Sequence, residues 1–211
     1  MSQKVAERAA AKKIKDKWRA KIWYKIITPE SFGSKEIAES PADDPQKMVG
    51  RIAETTLYNI TGDIKKEYVK LYFKVVSVDG SIAKTVFIGH DVTQDYIRRL
   101  VRRRKSRIDA IFPLQTVDNY KIRIKITAIA DKRLNSSLKS AIRRKIIETV
   151  LAKGQNMLFY EFVSYMFTDQ MVKEIERNIK QVYNIKRIEI RKSNLLSTPE
   201  EKQIEENTAS A

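Results

Sequence analysis

An α+β fold is predicted for this chain: a β-barrel-like antiparallel sheet with flanking helices, behind a basic N-terminal extension. Three observations carry that prediction. Apolar residues alternate with a period of two through the middle of the chain, and they recur every three or four residues from Ser136 onward. Nine basic side chains crowd the first 25 residues against only Glu7 and Asp16. A period of two is that of half-buried strands and a period near 3.6 that of amphipathic helices. At 211 residues, 42% of them hydrophobic, one large core is expected despite 32% charged residues, against about 25% in ordinary domains. The expected division is a basic arm over 1–25, a single domain over 26–192 and an acidic, disordered tail over 193–211.

In the arm, Ile14, Trp18 and Ile22 recur at helical spacing, but so thin a stripe does not hold a helix alone in water, so ordering is expected only against a partner. From Tyr24 to Gly50 the chain is punctuated by Pro29, Gly33, Pro41 and Pro45, which reads as a loop-rich entry. Strands follow in RIAETTLYNI, VKLYFKVVSV and SIAKTVFIG, the last two joined by Asp79 and Gly80, a hairpin signal. A second hairpin runs from SRIDAIFPLQTV to YKIRIKITAIA and turns at Asp118 and Asn119, with Pro113 suggesting a bulge or edge. Its return strand should bury Ile122, Ile124, Ile126 and Ala128 and turn Lys121, Arg123, Lys125 and Thr127 the other way.

Next, Leu138, Ile142, Ile146 and Val150 mark a helix capped by Ser136 or Ser137 and stopped at Gly154. MLFYEFVSYMF, apolar nearly all round, predicts a short, deeply packed helix. Thr168 is expected to cap a third, with Val172, Ile175, Ile179 and Val182 as its stripe, before a closing strand IKRIEIR.

Several chemistries lack their residues. There is no cysteine, so disulfides, thiolate nucleophiles and cysteine-based zinc sites are excluded, and a reducing compartment is expected. No GxxxxGK[ST] or GxGxxG loop exists, and no GxSxG elbow. His90 is the one histidine; a structural or RNA-contacting role is expected of it. No metal and no cofactor are expected. Carboxylates at Asp91, Asp95 and Glu174 leave one enzymatic alternative, a metal-dependent RNA-processing nuclease. However, Asp91 with Gln94 reads as a capping box and Asp95 as a first-turn acid. No apolar run reaches the roughly 18 residues of a membrane span, and the N-terminus lacks a secretory pattern.

The charge is the positive signal. The formal net charge is +16 with a pI near 9.9, and the tail after Leu196 holds four Glu against one Lys, so the remainder is more basic still. Such a balance points to a polyanionic partner. Seven of the ten residues from Arg98 to Arg107 are basic with no acid among them. Read as a helix with Ile97, Leu100, Val101 and Ile108 on its core side, the segment leaves Arg98, Arg99, Arg102, Arg103 and Lys105 on the others. A solvated charged face usually interleaves acids; this one does not, so it reads as a nucleic-acid surface. The candidate RNA-binding set also takes Arg104 and Arg107, Arg123 and Lys125 on the sheet face, and Lys139, Arg143 and Arg144 on the following helix. From the arm it takes Lys12, Lys13, Lys15, Lys17, Arg19, Lys21 and Lys25. Trp23 and Tyr24 join them as stacking candidates. Attachment of the arm to an anionic membrane is a further alternative.

The strings KIWYKIITPESF, GHDVTQDYI and RIDAIFPLQTVDNYKIRIKITAIADKR resemble, colinearly over about residues 17 to 192, the small-subunit ribosomal proteins of archaea and eukaryotes called the S-three-A-e family, or eukaryotic-type S-one. The most telling pieces are Trp23-Tyr24, Pro29 with Phe32, and Gly89-His90-Asp91 followed by Thr93 and Asp95. The resemblance implies a non-catalytic structural protein in the cytoplasm. It would sit on the platform of the small subunit, near the messenger exit and the 3′ end of the subunit's rRNA. Its partners would be rRNA, neighbouring ribosomal proteins and messenger near the exit, with no membrane and no small-molecule substrate.

Overall fold

The computed structural model describes residue 18 and residues 21–199. The chain folds as α+β, with eight strands and five α-helices among the described residues. It divides into two compact units, one of residues up to Thr55 with Phe73–Phe87, the other of Thr56–Tyr72 with residues from Ile88 onward. The long strands β4 (Val69–Asp79) and β5 (Ile82–Val92) pass through both.

In the first unit, β1 (Ile22–Ile27) and β2 (Glu36–Ala42) form an antiparallel hairpin in the segment expected to be a loop-rich entry. The punctuating residues are compatible with it. Pro41 lies on β2, which among the described strands pairs only with β1, so a missing amide costs little, and Gly33 ends a short 3-10 turn at φ 87°. β3 (Ile52–Thr56) pairs with β4, which pairs with β5 through the expected turn at Gly80. One pairing departs from the antiparallel expectation: Lys25–Ile27 runs parallel to Ile82–Lys84 of β5. The long stretch between β1 and β5 is what permits it, since parallel neighbours need a crossover rather than a tight turn. Tyr24, Ile26, Ala42, Met48, Ala53, Val75 and Ala83 make the core. Phe32 sits against Phe73 and Phe87 at ring separations of 5.3 and 5.6 Å, which gives the PESF string its packing role.

The second unit opens with α1 (Leu57–Thr61) and later α2 (Gln94–Leu100). Its sheet runs β5, β8 (Arg187–Ser197), β7 (Lys121–Ala130), β6 (Ser106–Gln115), each neighbour antiparallel. Ile122, Ile124, Ile126 and Ala128 are fully buried, as the alternation predicts. Thr127, expected on the basic face, is buried as well, its hydroxyl donating to Asp109 at 2.7 Å. Helices α3 (Ser136–Gly154), α4 (Phe159–Phe167) and α5 (Gln170–Ile179) supply Ile142, Ile146, Val150, Phe159, Phe162, Ile175 and Ile179 to the core.

Two end signals resolve differently and a third gains a further role. Asn135 rather than a serine occupies the N-cap position of α3. α3 does end at Gly154, where a Cβ would come within 2.4 Å of Leu114, so the glycine also permits close helix-to-strand packing. Thr168 ends α4 instead of starting α5, donating its hydroxyl to the Ser164 carbonyl, and Asp169 precedes α5.

Candidate nucleic-acid interface

The basic run is not one helix. α2 stops at Leu100, Val101 is extended, and residues 102–105 form a turn closed by the Lys105 amide donating to the Arg102 carbonyl at 3.3 Å. The reason is a competing period. Ser106, Ile108, Ala110, Phe112 and Leu114 alternate into the core as β6, so Ile108 is a strand residue and does not extend the helical seam. Arg104 takes a left-handed backbone at φ 65°, a conformation that costs a non-glycine residue on the order of 1 kcal/mol. Arg102, Arg103 and Arg104 are all exposed, and none has a carboxylate partner among the described residues.

Other members of the candidate set are committed internally. Lys105 pairs with Asp131 at 3.3 Å, and the same carboxylate meets Lys186 at 3.2 Å; the two ammonium groups hold Asp131 below the usual carboxylate range, Lys186 having the larger effect. Arg107 pairs with Asp109 at 3.0 Å, and Arg143 donates to the Asp109 carbonyl at 2.9 Å. Arg98 stands 3.8 Å from Asp95. Arg99, Arg123 and Arg144 are exposed, Lys125 and Lys139 half-buried, and these five have no ion-pair partner among the described residues.

In the first unit, Lys25 is bound to Glu36 at 3.0 Å and Trp23 is 54% exposed. Tyr24 is 3% exposed within the core, so its ring has no free face for a base. Lys21 places its ammonium 4.6 Å above the Trp18 ring. Lys12, Lys13, Lys15, Lys17 and Arg19 lie outside the described residues.

The carboxylates considered for a nuclease are each engaged separately. Asp91 accepts from Lys192 at 2.9 Å in place of the expected capping box; Thr93 is the N-cap residue of α2. Glu174 accepts from the Tyr165 hydroxyl and lies 3.4 Å from Lys153; the tyrosine bond, then the lysine, keeps its carboxyl below the usual range. Among the described residues no group of three or more acidic or histidine side chains is placed to hold a metal ion. No helix among them is long and apolar enough to cross a membrane.

His90 is 2% exposed and forms a closed circuit with β8. The Ser193 hydroxyl accepts from the His90 amide at 3.1 Å and meets Nδ1 at 2.6 Å, while Nε2 lies 3.0 Å from the Ile190 carbonyl. A carbonyl only accepts, so Nε2 carries the proton and Nδ1 accepts from Ser193. With both nitrogens occupied and the Phe167 ring edge-on at 5.2 Å, His90 is a structural residue. Gly89 lets this circuit close: a Cβ there would lie 2.1 Å from the Ser193 carbonyl oxygen. Gly89→Ala is expected to destabilise the protein by about 3 kcal/mol, the upper range for overpacking, because backbone must move. Urea denaturation reads the loss directly.

Sequence reasoning missed a second group. Tyr68 and Tyr96 stack at 3.8 Å with planes 7° apart. The Tyr96 hydroxyl donates to Glu189 at 2.8 Å and accepts from Arg187 at 3.0 Å. Their spacing of 28 residues carries no periodic signal.

The described residues therefore define a basic α+β chain in which Arg99, Arg102, Arg103, Arg104, Arg123 and Arg144 are exposed without an ion-pair partner, and in which Asp91, Glu174 and His90 make structural contacts. The chain belongs to the Ribosomal S3Ae family, whose family model matches residues 9–199. It is 44% identical over 186 residues to the small ribosomal subunit protein eS1 of Desulfurococcus amylolyticus, covering 88% of this chain and 87% of the relative. It is 39% identical over 200 residues to the protein of that name from Saccharolobus solfataricus, covering 94% and 96%. A Saccharolobus islandicus relative of the same name is 38% identical over 200 residues, with 94% and 96% covered.

Proposed function

We propose that this chain is a non-enzymatic structural component of the small ribosomal subunit that binds rRNA through phosphate contacts. Within the cytoplasmic ribosome, it would lie on the subunit platform near the messenger exit and the 3′ end of the small-subunit rRNA, beside neighbouring ribosomal proteins. The observation that carries the RNA contact is the turn at Arg102–Arg104. Three exposed guanidinium groups repel one another there without a carboxylate partner among the described residues, and arginine's planar fork suits phosphate oxygens. Family membership and the names of the relatives support the ribosomal setting.

Sedimentation of a cell lysate on a gradient tests the setting: the chain is expected in the small-subunit fractions and in whole ribosomes. Finding it wholly among free proteins overturns the reading. Incubation of the pure protein with structured RNA and Mg²⁺ is expected to give binding without turnover, and cleavage products would overturn the non-enzymatic part.

A further inference from the structure

A groove of ≈ 720 Å³ opens in the second unit, with Ile64, Lys65, Tyr68, Tyr96, Arg99 and Arg187 along its walls and Glu67 as one acid against three cations. Its volume falls in the range of about 300–1,000 Å³ that suits a single small ligand. The aromatic part is fixed in place. The two tyrosine rings are stacked on each other, and the Tyr96 hydroxyl is tied to both Glu189 and Arg187. Arg187 in turn donates from Nε to Glu189 at 2.8 Å, so its charge is already answered. Arg99 and Lys65 are exposed and have no carboxylate partner among the described residues.

Rigid aromatic surface beside unanswered positive charge is the combination that recognises a splayed-out nucleotide, because the base supplies a flat apolar face and its backbone a phosphate. A continuous duplex offers phosphates but keeps its bases stacked inside, and so gains nothing from the tyrosines. Glu67 and the exposed Ile64 do not suit a highly anionic ligand filling the whole groove, but they fit one phosphate with one base. We infer that this groove takes one unpaired nucleotide of the bound RNA, the base extending the Tyr68–Tyr96 stack from its outer side and the phosphate on Arg99 and Lys65. The inference rests on the RNA-binding reading and narrows it to a bulged or looped position.

The test uses the full chain and two hairpin RNAs that differ by one bulged 2-aminopurine. Fluorescence anisotropy should give roughly tenfold tighter binding of the bulged RNA, the scale of one base–aromatic contact, and 2-aminopurine emission should fall on binding. Arg99→Ala should abolish the preference for the bulge. Tyr68→Phe, which keeps the ring, should retain it, and Tyr68→Leu should lose it while binding the paired hairpin as before. Equal binding of the two hairpins, or 2-aminopurine emission that rises, overturns the groove's assignment and leaves the RNA-binding reading standing. Failure to bind either hairpin overturns both. Binding of an acidic peptide that is lost in both Arg99→Ala and Tyr68→Leu, with no bulge preference, would overturn the assignment and mark the groove as a protein contact.

Discussion

Changing Arg102, Arg103 and Arg104 together to Ala is expected to leave the fold intact and to weaken the proposed RNA binding, most strongly at low salt. Their side chains are exposed and join no ion pair among the described residues, so removal breaks no packing. Ala at position 104 meets the same left-handed strain as Arg at φ 65°. Stability should therefore stay within about 0.5 kcal/mol of the parent. Each phosphate contact contributes about 0.7 to 0.9 to the slope of log K against log salt, through release of counterions. Losing three should flatten the slope by about 2 to 3. Arg107→Ala is the comparison, because that guanidinium is already held by Asp109 at 3.0 Å; its effect on the slope should be much smaller. An anisotropy titration between low and moderate salt reads both. A triple variant with the parental slope would remove the turn from the interface.

The second large effect belongs to His90. Burial pushes its pKa from about 6.5 down to about 4, with the Ile190 carbonyl and Asp91 opposing and Lys192 assisting. The unfolded chain accepts a proton near the ordinary value of about 6.5 and the folded protein does not. The unfolded state thus binds more protons between these values, and stability rises with pH across the interval. The contribution is fully present above about pH 6.5, is lost as pH falls toward about 4, and levels off at a loss of about 3 kcal/mol. Carboxylates held low by cations or hydrogen bonds, such as Asp131 and Glu174, act in the other window, where acid reaches the carboxylate range itself. Urea denaturation at a series of pH values should show the upper step, and His90→Gln should flatten it while lowering stability at pH 8. Because the chain has one histidine, its imidazole resonance is unambiguous by NMR. A ring that titrates near pH 6.5 in the folded protein would refute the assignment.

Period was a good guide wherever one face of an element meets a core. The β6–β7 hairpin, the burial of Ile122, Ile124, Ile126 and Ala128, and helices α3 to α5 were all legible from the pattern of apolar residues. Residues 98–108 were ambiguous because two periods overlap there: Ile97 with Leu100 and Val101 satisfies a helix, and Ser106 with Ile108 and Ala110 satisfies a strand. Tertiary packing of β6 decides for the strand, and Arg102, Arg103 and Arg104 fall on the turn between. The β1–β2 hairpin was hidden by Pro29, Gly33 and Pro41, signals that an edge strand tolerates. In the candidate interface, exposure of Arg99 and Arg102–Arg104 follows from local composition. Which cations are neutralised does not, since Lys105 meets Asp131 and Lys192 meets Asp91 across long sequence separations. The Tyr68–Tyr96 stack is equally nonlocal.

The strand order β5, β8, β7, β6 in the second unit has a consequence for biosynthesis. β8 fills an interior position of that sheet, between β5 and β7, yet it is made after every other strand and helix described in the unit. Its partner residue on β5 in the His90–Ser193 circuit precedes it by 103 residues. During translation, β5 and β7 therefore emerge with their facing edges unpaired, and at roughly 5 to 20 residues per second that exposure lasts for several seconds. Unpaired edges of this kind recruit other chains. Until residues 187–197 emerge the sheet cannot close, so the nascent chain carries two strand edges open to pairing with other chains.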